Sequence, residues 1–122
     1  MSSALPTTLS FTEQLQTIQS CMGRLGAAQP ETMAAFSRLH KAAAAPGALD
    51  TKTKELIALA IGVAARCDGC IAFHTHDVLE AGASEQEILD ALGVAILMGG
   101  GPSVMYATHV LEAMEDFRES GT

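Results

Sequence analysis

The sequence is short of charge, and of positive charge above all. Charged residues make up 17% of the 122-residue chain, below the roughly 25% of an ordinary soluble domain. That shortfall leaves apolar surface that other subunits are expected to cover. Lys and Arg number 7 against 14 Asp and Glu, a net charge of −7, which argues against a nucleic-acid or anionic-membrane partner. The longest apolar run, Leu56 to Ala65, falls well short of the about 20 residues needed to cross a bilayer. The opening MSSALPTTLS has neither the basic region nor the apolar core of a signal peptide. The expectation is a soluble cytoplasmic protein. Cysteine is scarce and odd in number, at 3, so no disulfide framework is implied. No stretch alternates like a strand, and no internal repeat stands out. The length suits one domain with a real core.

What remains is helical punctuation. Residues 1–10 read as a flexible N-terminal arm and residues 11–122 as a single domain. Phe11, Leu15, Ile18, Met22 and Leu25 recur at helical spacing, predicting a first helix that ends near Gly26. Cys21 lies on that stripe and reads as a small buried hydrophobe rather than a third redox thiol. Pro30 opens a second helix through Ala45, closed by Pro46-Gly47, with Met33, Phe36 and Leu39 or His40 facing inward. His40 reads as a surface or boundary histidine. Asp50 is the N-cap of a third helix, Thr51 to about Arg66, apolar around nearly its whole circumference and so expected to be central and buried. Asp68-Gly69 breaks the pattern, and a fourth helix runs to Glu80 or Ala81 before Gly82. Ser84 and Glu87 form a capping box for a fifth helix. Gly99-Gly100-Gly101 follows with no Walker lysine and no preceding strand, so it reads as a turn, not a phosphate loop. Pro102 starts a sixth helix to about Arg118, with Val104, Ala107, Val110, Leu111, Met114 and Phe117 inward. Tyr106 and His109 read as core or subunit contacts. The predicted fold is all-α, a bundle of about six helices.

The chemistry is concentrated at Cys67-x-x-Cys70 and His74. On a helix these three side chains fall within about 60° of one another, so two thiols and an imidazole share a face. A thiol at a helix start is favoured as thiolate, and an adjacent imidazole can take or return a proton. A zinc site would need His76 as well, but His76 lies about 200° around the helix from His74, and no other Cys or His stands at zinc-ribbon spacing. Haem attachment needs histidine directly after the second cysteine, where Ile71 stands. No cofactor or metal is therefore assigned. Glu55 lies inside the third helix between Lys52 and residues that pack. By itself it reads as an exposed first-turn charge beside Lys52 and Lys54. On one straight helix it would be about 18 Å from Cys67. It can join the cysteines only if the third and fourth helices fold together, or if a neighbouring subunit supplies it.

The spacing Glu55-x11-Cys67-x2-Cys70-x3-His74, with the flanking KTKELIALAIGVAARCDGCIAFHTHDVLEAGASEQEI, resembles the AhpD-like alkylhydroperoxidase family of the carboxymuconolactone decarboxylase superfamily, over about residues 30 to 117. The resemblance implies an all-helical fold assembled as a homo-oligomer, a trimer or a hexamer. It implies a dithiol that reduces a hydroperoxide substrate and is restored by a thiol or protein dithiol reductant. By the same resemblance Cys70 attacks, Cys67 resolves, and His74 with Glu55 forms a proton relay. The residues alone leave the attacking thiol open, since Cys67 at the helix start should ionise more readily while His74 stands one turn beyond Cys70. Gly69 departs from the pattern: the better-known peroxidase members carry histidine just before the second cysteine. Two other functions stay open: a decarboxylase-like lyase, whose branch generally lacks the cysteine pair, and a non-catalytic oligomeric module for redox sensing or binding.

Overall fold

A computed structural model describes residues 9–121. Among the described residues there are six helices and no strand: α1 (Phe11–Ala28), α2 (Pro30–Ala44), α3 (Thr51–Ala64), α4 (Asp68–Glu80), α5 (Glu85–Gly99) and α6 (Gly101–Ser120). The all-α expectation holds. Of the predicted arm, residues 1–10, residues 1–8 lie outside the described residues, and Ser10 belongs to the fold as the N-cap of α1.

The helix starts follow side-chain chemistry. Ser10 and Glu13 form a capping box on α1, and Ser84 and Glu87 form one on α5; each pair satisfies backbone N–H groups that a helix start leaves without partners. Asp50 accepts from the Thr53 N–H at 2.8 Å and starts α3. Two of the helix ends share one device. The N–H of Cys67 donates to the Gly62 carbonyl while that of Arg66 donates to Val63, and the N–H of Ala83 donates to Val78 while that of Gly82 donates to Leu79. Both are Schellman turns, which need a left-handed residue just past the helix. Gly82 supplies it at φ +89°, and Arg66 supplies it at φ +58°.

The core is built from α3, α4, α5 and α6. Leu59, Val63, Ile71, Val78, Ile88, Val110 and Phe117 are fully buried, and each fully buried side chain of this size contributes about 1.5–3 kcal/mol over leaving it in water. The first half of α1 joins them through Phe11 and Leu15. The Asp116 carboxylate accepts the Phe11 N–H at 2.8 Å and ties the start of α1 to the end of α6. Lys52 and Glu87 pair at 2.9 Å between α3 and α5; this hydrogen bond raises the Lys52 ammonium above its ordinary range and lowers the Glu87 carboxyl.

Several apolar positions depart from expectation, because helical period marks a face without saying what covers it. Helix α2 buries no side chain, and Phe36 and Leu39 are exposed. Helix α3 is buried on one side only: Ile57 and Ile61 face outward. On α6, Ser103 and Ala113 are buried where Val104 and Leu111 were expected, and those two are exposed. Cys21 is a free, exposed cysteine rather than a buried hydrophobe, since only the first half of α1 reaches the core. No helix among the described residues is long and apolar enough to cross a membrane.

Candidate functional site: a dithiol beside a hydrogen-bonded glutamate–histidine pair

The α3–α4 turn sets the cysteines in place. Only Ala65, Arg66 and Cys67 separate the two helices, so the Schellman turn at Arg66 sends α4 back along α3. Cys67 becomes the N-cap of α4, and its sulfur accepts the Cys70 N–H at 3.1 Å. Once the pair is reduced, a sulfur at a helix start is favoured as thiolate. The Cα atoms of Cys67 and Cys70 are 5.2 Å apart and their sulfurs are at disulfide distance. Cys70 lies against α3 at Gly62: a Cβ built on Gly62 would stand 2.9 Å from the Cys70 Cβ. A glycine is what lets the two helices approach this closely.

The same folding back brings in Glu55. Its carboxylate Oε1 is 2.8 Å from Nδ1 of His74. The reading of Glu55 as an exposed charge is overturned: the residue is 5% exposed. In the tautomer with a proton on Nδ1, the ring donates to the carboxylate, which fixes its orientation and leaves Nε2 as the remaining acid–base atom. Of the two routes open to Glu55 in sequence, the fold of its own chain is the one taken. Glu55, Cys67, Cys70 and His74 thus come together on α3, the turn and α4.

The cysteines open onto a cavity of about 610 Å³ between α1, α2 and α4. Ile18, Met22, Met33, Phe36 and Phe73 give it an apolar wall, and Cys67, Cys70, His40, His74 and Asp77 bring its chemistry. His40 is at the surface, as expected of it, but it faces this site: its ring stacks on that of His74 with centroids 6.4 Å apart. His40, Asp77 and Gly62 are the residues that sequence reasoning missed. His40 and Asp77 stand at no telling spacing from the cysteines, and only the close approach of two helices reveals the role of Gly62. The other histidines do not line the cavity. His76 pairs with Asp77 at 3.1 Å and packs edge-on against Phe117. His109 pairs with Asp68 at 2.6 Å between Phe11 and Tyr106.

The sequence profile of the carboxymuconolactone decarboxylase family matches residues 30–113. The chain belongs to that family. It is similar to a family member from Legionella pneumophila of known crystal structure, at 47% identity and TM-score 0.85, over 88% of this chain and 96% of that one. A Thermotoga maritima family member aligns at 36% identity and TM-score 0.69, over 74% of this chain and 93% of its own. An uncharacterised protein of Cupriavidus necator is 41% identical over 104 residues, 85% of this chain and 92% of that protein. Within the family, this member carries a cysteine pair at disulfide distance beside a hydrogen-bonded glutamate and histidine.

Proposed function

We propose that this family member is a thiol-dependent peroxidase and disulfide oxidoreductase that reduces hydroperoxides through Cys67 and Cys70. The observation that carries the reading is the hydrogen bond from a buried Glu55 to the half-buried His74 beside a closable cysteine pair, at the wall of an apolar cavity. The Cys70 thiolate attacks the outer oxygen of the hydroperoxide; the O–O bond breaks, the alcohol leaves with a proton, and Cys70 becomes a sulfenic acid. The Cys67 thiolate then attacks the Cys70 sulfur, releasing water and closing the disulfide. His74, oriented by Glu55, takes the Cys70 proton and returns it to the leaving alkoxide. A thiol or protein dithiol of a reducing cytoplasm reopens the disulfide by exchange. The apolar wall suits an organic hydroperoxide better than a small polar one. The Thermotoga relative has been suggested to take part in an antioxidative response, which agrees in direction. Gly69 removes one imidazole from the relay of the better-known peroxidases, so turnover should be slower than theirs.

One observation favours exchanging the two sulfurs. Cys67 receives the helix-start N–H, the usual mark of the attacking thiol. Peptide mapping after mild peroxide decides. The expected product is a Cys67–Cys70 disulfide with Cys21 still reduced, and Cys67→Ser should stall as a sulfenic acid on Cys70. Trapping on Cys67 in Cys70→Ser reverses the order of attack. A disulfide that forms without sustained turnover, given excess dithiol and hydroperoxide, refutes the peroxidase and leaves a redox sensor.

The functional unit in this proposal is a homo-oligomer, a trimer or a hexamer. Ile57, Ile61, Val94, Leu97 and Met98 are exposed on α3 and α5, and apolar surface on that scale is what subunit contacts cover.

A further inference from the structure

The only metal set legible in the sequence is built on the cysteines, and it is a poor one. The fold assembles a different set. His40 of α2, Glu55 of α3 and Asp77 of α4 each offer one ligand-capable atom, and these atoms lie within 4.8 Å of one another. One imidazole nitrogen and two carboxylate oxygens suit a borderline divalent cation such as zinc better than calcium or magnesium, which prefer oxygen alone.

Two further features point the same way. Each carboxylate is hydrogen-bonded to another imidazole: Glu55 Oε1 to Nδ1 of His74 at 2.8 Å, and Asp77 Oδ1 to Nδ1 of His76 at 3.1 Å. Outer partners of this kind orient the carboxylates that hold a metal. Glu55 is also buried and Asp77 half-buried, so an ion at their common point would be largely screened from water.

We propose that His40, Glu55 and Asp77 form a binding site for a zinc-class divalent cation in the wall of the cavity, separate from the cysteines. His40 and Asp77 both line that cavity, which gives the ion its entry. Helix α2 buries no side chain of its own; an ion held by His40 would tie it to α3 and α4.

The test uses full-length protein in a Cys21→Ser background, stripped with chelator and oxidised so that neither Cys67 nor Cys70 can ligate. Zinc is titrated by calorimetry, and cobalt is used for optical spectra. About one zinc per chain is expected, with affinity weakened about tenfold or more in His40→Ala and in Asp77→Asn and unchanged in the surface control Glu112→Gln. Cobalt should give visible d–d bands with no thiolate charge-transfer band. Absence of saturable binding to the oxidised protein overturns the proposal. So does affinity unchanged in both variants, or binding seen only after reduction, which would give the metal to the cysteines. None of these readouts depends on hydroperoxide turnover.

Discussion

Gly62→Ala tests the contact on which the site is built. A methyl at residue 62 would stand 2.9 Å from the Cys70 Cβ and 3.8 Å from the Cys70 carbonyl carbon. Carbon atoms pack best at about 3.5–4.0 Å, so α3 and α4 must part by roughly half an ångström or more. Inserting a methyl into a packed contact costs about 1–3 kcal/mol. Exchanging glycine for alanine inside a helix returns about 0.8–1.0 kcal/mol. The overpacking wins, and the net loss should be up to about 2 kcal/mol. Gly23→Ala is the control. Gly23 is also inside a helix, and a Cβ there meets nothing within 4 Å, so that variant should gain about 0.5–1 kcal/mol. Urea unfolding of both variants at matched protein concentration reads the difference. Gly62→Ala should also slow disulfide closure by peroxide, because the displaced backbone is that of Cys70 itself. If Gly62→Ala gains as much as Gly23→Ala and closes its disulfide at the wild-type rate, the close approach of the helices is not what holds the dithiol.

Glu55→Gln keeps the shape of the side chain and removes its charge, so hydroperoxide turnover should fall by about 10²-fold or more, as should turnover in His74→Gln; the double variant should be little worse than either, and additive losses would show that the two do not act as a unit. Arg66→Gly should raise the melting temperature, by about 1 kcal/mol of stability, because the left-handed conformation costs a side-chain-bearing residue about 1–2 kcal/mol and glycine gives back part of that in the unfolded chain; an unchanged or lower melting temperature would mean that the arginine side chain compensates. On acidification, the hydrogen bond from Thr53 holds the Asp50 carboxyl below its ordinary 3.8, and that from Lys52 holds Glu87 below its ordinary 4.5. Their stabilisation is fully present above those values and is lost as pH falls through the lower folded ones. Lys52→Met should therefore flatten the acid limb of a stability–pH curve, and an unaltered limb would show that the pair contributes nothing. Sedimentation at micromolar concentration should show a trimer or hexamer, and a monomer would refute the proposed assembly.

The site was partly legible before the fold was known. Cys67, Cys70 and His74 lie within two helical turns, and a 3.6-residue period is enough to place them on one face. Glu55 was legible only through the family resemblance, since its neighbours Lys52 and Lys54 describe a solvated first turn. Apolar period misled wherever it was taken to mean burial. Ile61 and Leu111 fit their stripes as well as Leu59 and Val110 do, yet they face outward.

The sequence by itself determined what depends on near neighbours: six helices, the caps at Asp50 and Ser84, the stop at Gly82, and the shared face of the dithiol and His74. Tertiary structure decided which distant residues meet. The Arg66 turn reverses the chain, Gly62 lets α4 close on α3, and Glu55 reaches His74 at 2.8 Å instead of lying about 18 Å from the cysteines along one helix axis. The approach of α2 and α4 to the same point adds His40 and Asp77. Helix formation is settled within a few residues by backbone hydrogen bonds and caps. Helix pairing is settled by the fit of whole surfaces, and no local pattern in the chain records that fit.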